Sequence, residues 1–335
     1  MKVLFDHPCP FLLAHGGFQV QIQQTKAALE AIGLEVEFLR WWDEQQRGEI
    51  VHYFGRPPSA YVDFVHGKNM RLVMLELLTG LGSRSGVARF AQKTLMTLAQ
   101  SCLPRSFSDR MAWDVYRSAD ALLANTSWEA HLMKTVFGAS PRKVQVVPNG
   151  VERCFLDSLR VERGPWLVCC ATITERKRIV ELAEAAVRAQ TPLWVIGKAY
   201  GPGSRYARRF FDLVKRYPAM LRYEGPLEDR NQLAQTYRAA RGFVLLSTME
   251  TRSLAAEEAA ACECPLLLSD LPWARSVFAQ LATYCPVRAS PAGTAKRLRH
   301  FYDAAPHLPV PPRPKSWLEV AQHLQSVYAT ALKTS

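Results

Sequence analysis

The stretch Phe243-Val-Leu-Leu246-Ser247-Thr-Met-Glu250-Thr-Arg-Ser253-Leu254-Ala-Ala-Glu257-Glu258-Ala-Ala-Ala-Cys-Glu-Cys264-Pro265 decides how the chain folds. Phe243 to Leu246 form a short apolar run of the kind that makes a strand buried on both faces. The run ends in a polar turn, and alanine-rich sequence then opens a helix. Ser253 stands where an N-cap belongs, and a cap there leaves the amides just after it directed at an anion. Glu250 falls in the turn. Glu258 lies four residues after Leu254 on a face that otherwise reads apolar, so its carboxylate needs a hydrogen-bonding partner, which ligand hydroxyls would supply. Acidic residues early in a helix also complement its dipole without any ligand. Periodicity does not separate Glu257 from Glu258.

The same strand–turn–helix grammar runs outward in both directions. Candidate strands are Val3–Phe5, Val36–Leu39, Ile50–Phe54, Leu72–Leu75, Ala121–Ala124 and Val144–Val147, then Trp166–Cys170, Leu193–Ile196, Leu221–Tyr223, Gly242–Leu246, Pro265–Ser269 and Thr283–Cys285. Helical patterns lie between them; over 18–32 the residues Phe18, Ile22, Thr25, Leu29 and Ile32 step by four and three. Alternation of this kind demands crossover connections, hence parallel sheets with helices on both faces. The expected fold class is α/β, with two doubly wound, Rossmann-like domains facing a cleft. Pro148-Asn149-Gly150 marks the join. The expected division is 1–152, 153–313, and a C-terminal crossover helix within 314–335 that returns to the first domain. The Pro-rich segment Leu308 to Pro314 is a stiff extended connector to that helix.

Composition narrows the class. At 335 residues the chain suits two domains, and no uncharged apolar run is long enough to span a bilayer. The opening residues turn polar too soon for a signal-peptide core, so the chain reads as cytoplasmic. Its eight cysteines form no C-x-x-C pair and read as reduced core thiols. The Asn125-Thr126-Ser127 sequon then has no glycosylation to direct it. A net charge of +12 calls for an anionic partner. No zinc-finger, RNA-recognition or helix-turn-helix signature accompanies that charge, so nucleic acid is not the expected partner.

Glu250 and Glu258, with seven residues between them and Cys264-Pro265 beyond, resemble the E-x7-E signature of the family 4 retaining glycosyltransferases of GT-B fold. Other pieces are similar to that family in the order it requires. They are His15-Gly16-Gly17 before an amphipathic helix, the segment Ser118 to Ser127, the junction Lys143 to Val151, Lys177, Val195-Ile-Gly197, and Tyr223-Glu-Gly225-Pro226. Each is unspecific alone, and together they extend over nearly the whole chain.

The resemblance implies a donor that is a nucleotide-diphosphate sugar, a co-substrate, with no cofactor and no metal. Glu258 would hold the ribose hydroxyls and Glu250 the hydroxyls of the transferred sugar. Lys177 would neutralise the diphosphate as a compact cation, and the amides near Ser253 and Leu254 would cradle the same phosphates. Gly16 and Gly17 would let backbone approach them from the other domain. Gly197, Gly225 and Pro226 would border the nucleotide; for each glycine a simple turn is the other reading. Lys177 and Glu250 would be the catalytic pair, stabilising charge at the leaving phosphate and orienting the sugar. The acceptor would be a glycan or a lipid-linked saccharide.

Two departures from the family stand out. Thr172 occupies the place of an arginine that many members carry five residues before the lysine, with Arg176 and Arg178 as available substitutes. Val73 to Gly80 lacks the histidine common there, while His52 matches another family histidine or serves the strand itself. An inactive nucleotide-sugar-binding partner protein of the same fold is the alternative. Finally, in 84–105 the charged residues Arg84, Arg89, Lys93 and Arg105 are all basic. Val87, Phe90, Ala91, Leu95, Leu98 and Cys102 can share one side of a helix there. That pattern fits a peripheral contact with the anionic inner face of a membrane, or an ordinary helix covering the sheet.

Overall fold

The computed structural model describes residues 1–8, 11, 16–84, 86–102, 111–159, 161–199, 201 and 203–333. His15, Cys9 and Arg105 lie outside them. Among the described residues twelve strands, β1 to β12, form two sheets of six. The first comprises β1 (Lys2–Asp6), β2 (Glu35–Phe38), β3 (Ile50–Phe54), β4 (Arg71–Leu75), β5 (Ala121–Ala124) and β6 (Val144–Val146) in the order β2-β1-β3-β4-β5-β6. The second comprises β7 (Leu167–Cys170), β8 (Leu193–Ile196), β9 (Leu221–Tyr223), β10 (Gly242–Leu245), β11 (Leu266–Ser269) and β12 (Thr283–Cys285) in the order β12-β11-β10-β7-β8-β9. Every pairing is parallel. The expected α/β class with two doubly wound sheets is what the chain adopts.

The chain divides into two compact units, Met1–Gly150 with Trp317–Ser335, and Val151–Ser316. Each has its own apolar core. In the first, the Gly17–Ala31 helix buries Gln21, Ile22, Thr25, Ala28 and Leu29. Ile22, Thr25 and Leu29 of the expected stripe are buried, while Phe18 in the first turn and Ile32 just past the helix are half-buried. Within that face the Gln21 amide donates to Asn125 Oδ1 at 3.1 Å inside the core. That bond also buries the sequon asparagine. Thr126 caps the next helix by accepting from the Glu129 amide at 3.1 Å. Gly150 is required by close approach, since a Cβ there would lie 2.6 Å from the Trp317 backbone.

The C-terminal helix, Trp317–Lys333, packs on the Gly17–Ala31 helix and on β4. Its buried side chains, Trp317, Val320, Ala321, Leu324, Val327, Tyr328 and Ala331, follow the expected face. Tyr328 meets His52, whose Nδ1 lies 2.6 Å from the phenol oxygen. His52 is fully buried in β3 and stacked on Phe54, so in the first unit it serves the strand and its helix.

Burial pushes the His52 imidazole down to about 3. It is therefore neutral in the fold and titrates near 6.5 when unfolded. A depressed folded value means the stability is fully present above that unfolded value and is lost as pH falls from it towards 3. By pH 5 the loss from this one group is about 2 kcal/mol. His52→Gln should flatten the fall in melting temperature between pH 7 and 5; equal slopes in the two proteins would show that another group sets it.

Candidate functional site

β7 and β10 lie side by side at the middle of the second sheet, pairing Gly242 with Leu167 and Phe243 with Val168. From β7 the chain proceeds to β8 on one side, and from β10 to β11 on the other. The strand order reverses here, and in open α/β sheets that reversal makes a crevice outside the carboxyl ends of the two strands. The two loops that leave those ends, 171–178 and 246–253, carry the expected lysine and glutamate. They are tied together where the Thr248 amide donates to the Arg176 carbonyl at 2.8 Å.

Lys177 ends a 3-10 turn, Glu175–Lys177, and its ammonium is ion-paired with Glu250 Oε1. Both side chains are largely enclosed, at 13% and 10% exposure. Arg176 joins them, with Nη1 3.3 Å from the same oxygen and 3.1 Å from the Met249 carbonyl. Arg178 does not. It adopts a left-handed conformation with φ 53°, and its guanidinium donates to the Val287 carbonyl at 2.7 Å. Of the two arginines the sequence left open, Arg176 stands at the crevice. Two cations against one carboxylate leave this corner with a positive excess, suited to an anion.

The helix that follows, Leu254–Ala261, is capped by Ser253, whose Oγ accepts from the Ala256 amide at 3.3 Å. By helix geometry the amides of Leu254 and Ala255 have no partner within the helix. The two neighbouring glutamates now separate. Glu257 turns back to Arg252, whose Nε lies 2.8 Å from Oε1. Glu258 instead meets Arg230 through Oε1, and the Tyr237 hydroxyl stands 3.4 Å from Oε2. Both carboxyls are buried, and burial raises their pKa against the pull of their arginines. Cys170, at the end of β7, feels the Glu258 carboxylate, which adds to burial in raising its thiol.

Gly197 and Gly225 end β8 and β9, and the Gly197 amide donates to the Gly225 carbonyl at 3.1 Å. With φ 142° and a would-be Cβ only 2.1 Å from the Ala171 carbonyl, Gly197 is demanded by packing against the loop that leads to Lys177. Gly225, at φ 85°, has open space around it, and Pro226 follows. Gly16 and Gly17 belong to the other unit, where Gly16 precedes the Gly17–Ala31 helix after β1. β1 and β3 form the reversal point of that sheet, so these glycines also occupy a carboxyl-end loop.

Arg230, Tyr237 and Cys170 escaped the sequence reading. They reach Glu258 from a different helix and a different strand, and no local motif announces such a meeting. Cys154, Cys169, Cys170, Cys262, Cys264 and Cys285 are free thiols, and burial pushes Cys169 up to about 12 and Cys170 up to about 11.

No family model matches the chain. It is 31% identical over 179 residues to a D-inositol 3-phosphate glycosyltransferase of Kribbella flavida, covering 46% of this chain and 41% of that protein. To the protein of the same name from Nocardiopsis dassonvillei it is 29% identical over 172 residues, covering 45% and 40%. The match thus spans about two fifths of these curated relatives. Among solved structures, sucrose-phosphate synthase from Thermosynechococcus elongatus superposes with a TM-score of 0.69 at 17% identity, covering 100% of this chain and 99% of that one. Anabaena HepE in complex with UDP and glucose superposes at 0.63 with 11% identity, covering 98% and 99%. The fold is that of the GT-B glycosyltransferases, with two Rossmann-like sheets.

Proposed function

We propose that this chain is a retaining glycosyltransferase that moves a sugar from a nucleotide-diphosphate donor, a UDP- or GDP-sugar, to a hydroxyl of a glycan or lipid-linked acceptor. The observation that carries this reading is the convergence of Lys177, Arg176, Glu250 and the capped Leu254–Ala261 helix at the reversal point of the second sheet. The glycosyltransferase names of the partial relatives support it, as do HepE structures with UDP and with UDP-glucose.

In this reaction the bond from the anomeric carbon to the diphosphate oxygen breaks, and the electron pair leaves with the phosphate. The acceptor oxygen bonds to the same face, and its proton passes to the departing phosphate. The protein's task is to stabilise charge on the leaving group and to fix the sugar. Lys177, Arg176 and the amides after Ser253 supply the positive charge. Glu250 accepts from sugar hydroxyls, and Glu258 from the ribose. A thermal-shift comparison of UDP, GDP and ADP tests the donor side. The matching nucleotide at a hundred times its dissociation constant stabilises by about 2.7 kcal/mol, a rise of several degrees. Nucleotide sugars of that base should then release free nucleoside diphosphate when acceptor is present. No shift with any of the three would sink the donor assignment, and binding without release would favour an inactive binding protein.

The Gly86–Cys102 helix adds where the enzyme works. Among its described side chains only Met96 is buried, while Val87, Phe90, Leu95 and Leu98 are 82%, 74%, 68% and 54% exposed. Its apolar stripe is therefore not spent on the core. Its charged residues, Arg89 and Lys93, are basic, and Arg89 lies over the Trp128 ring at 4.6 Å. Among the described residues no helix is long and apolar enough to cross a membrane, so the proposed contact is peripheral, with an anionic leaflet. The protein should sediment with anionic liposomes at low salt and leave them at high salt. Retention in the supernatant at low salt, or no change in Arg89→Glu with Lys93→Glu, would refute it.

A further inference from the structure

Arg230 is the first residue of the Arg230–Ala239 helix, and it is held on three sides. Its Nε donates to Glu152 Oε1 at 2.7 Å, its guanidinium lies 4.8 Å from the Phe155 ring centre, and its Nη2 is bonded to Glu258 Oε1. Glu258 thereby has one oxygen committed to a fixed cation. Among the described residues the other, Oε2, has only the long 3.4 Å contact from the Tyr237 hydroxyl.

We propose that Arg230 is the positioning residue for Glu258: it fixes one carboxylate oxygen, keeps the group ionised in its buried setting, and so presents Oε2 to the ribose hydroxyls of the donor. This rests on the donor reading above. Ribose hydroxyls donate, and only an ionised, oriented carboxylate accepts from two of them at once. Burial favours the neutral acid, which offers a donor where an acceptor is needed. A carboxyl buried at the end of a helix's first turn holds its charge only if a cation accompanies it. Glu152, on the far side of Arg230, keeps that cation from swinging away.

The groups around Glu258 leave few other sources of pH dependence. Arg230 and Tyr237 face it from one helix, Glu152 and Cys154 from the segment that opens the unit, Cys170 from β7, and Cys262 from the end of its own helix. Burial holds the Cys154, Cys170 and Cys262 thiols and the Tyr237 phenol above their ordinary values, so they stay neutral from pH 5 to 8. Glu152 is the other carboxylate in the group.

The experiment is calorimetry of the full chain with UDP, GDP and ADP across pH 5 to 8.5. For the nucleotide that binds, Arg230→Met should weaken affinity about tenfold at pH 7. It should also move the acid-side loss of binding upward by a unit or more, and Arg230→Lys should restore much of both. The double variant Arg230→Met with Glu258→Gln should bind weakly and lose the raised midpoint, keeping only the pH dependence of the nucleotide's own terminal phosphate. A uniform loss in Arg230→Met with an unmoved midpoint would make the arginine a structural or direct contact and overturn the proposal. So would wild-type affinity in that variant, or an acid-side midpoint in the double variant that stays as high as in Arg230→Met. The terminal phosphate of the nucleotide itself titrates at about 6 in every variant. If the parent chain binds none of the three nucleotides, the donor reading fails first and this one falls with it; parent binding with an unaffected Arg230→Met removes only this one.

Discussion

Lys177→Ala is expected to lower turnover by about 100-fold or more while the protein keeps its fold. That factor corresponds to about 2.7 kcal/mol of lost transition-state stabilisation. The argument has two halves. Charge develops on the diphosphate as its bond to the sugar breaks, and a fixed cation in an enclosed corner stabilises it more than water does. Lys177 is such a cation, 13% exposed and paired with Glu250. Truncating one member of an enclosed ion pair usually strands the other. Here Glu250 keeps Arg176, with Nη1 3.3 Å from the same oxygen, so the variant should melt close to the parent. Steady-state release of nucleoside diphosphate, with circular dichroism as the check on folding, decides it. A folded variant with unchanged turnover removes Lys177 from the site. Arg176→Ala should cost less, because its side chain is 43% exposed and solvent screens it.

The fold was legible because its strands are short apolar runs bounded by turn residues, and parallel strands buried on both faces leave that mark in sequence. All twelve expected runs became strands, with ends moved by a residue or so. The glutamate turn was legible for a related reason: Glu250, Ser253 and Glu258 sit within a single strand–turn–helix unit. The choice between Glu257 and Glu258 was not local. The two side chains part because Glu257 turns back to Arg252, while Glu258 meets Arg230 and Tyr237 from another helix. Arg176 and Arg178 could not be ranked either, since the left-handed turn at Arg178 that sends the two side chains apart has no sequence mark on a non-glycine residue. The helix at Gly86–Cys102 shows the limit most clearly. An apolar stripe reads the same whether or not it packs on a sheet, and only the structure, with Phe90 and Leu95 exposed, shows that this one is not spent on the core.

Separate alanine substitutions at the two glutamates are expected to fail in different ways. The ribose is held equally in the ground and transition states, so Glu258→Ala should weaken nucleoside-diphosphate binding, by about tenfold or more if two hydroxyl bonds to a charged group are lost. Its effect on turnover at saturating donor should be smaller. Glu250→Ala should act on transfer, because its proposed contact is to the sugar being moved. The ion pairs sharpen this contrast. Without Glu250 the positive charges of Lys177 and Arg176 face no carboxylate at Oε1, so they are drawn more strongly to a diphosphate. UDP or GDP affinity in Glu250→Ala should therefore equal or exceed that of the parent, while turnover falls. Without Glu258, Arg230 still has Glu152 at 2.7 Å, so the loss reports the missing acceptor rather than a stranded cation. Titration calorimetry with the nucleotide alone, beside steady-state kinetics with the sugar donor, reads both quantities. If Glu258→Ala binds nucleotide like the parent, the ribose lies elsewhere. If Glu250→Ala instead loses nucleotide affinity, the carboxylate is holding the cations in place for the phosphates, and its role is to position Lys177 rather than to meet the sugar.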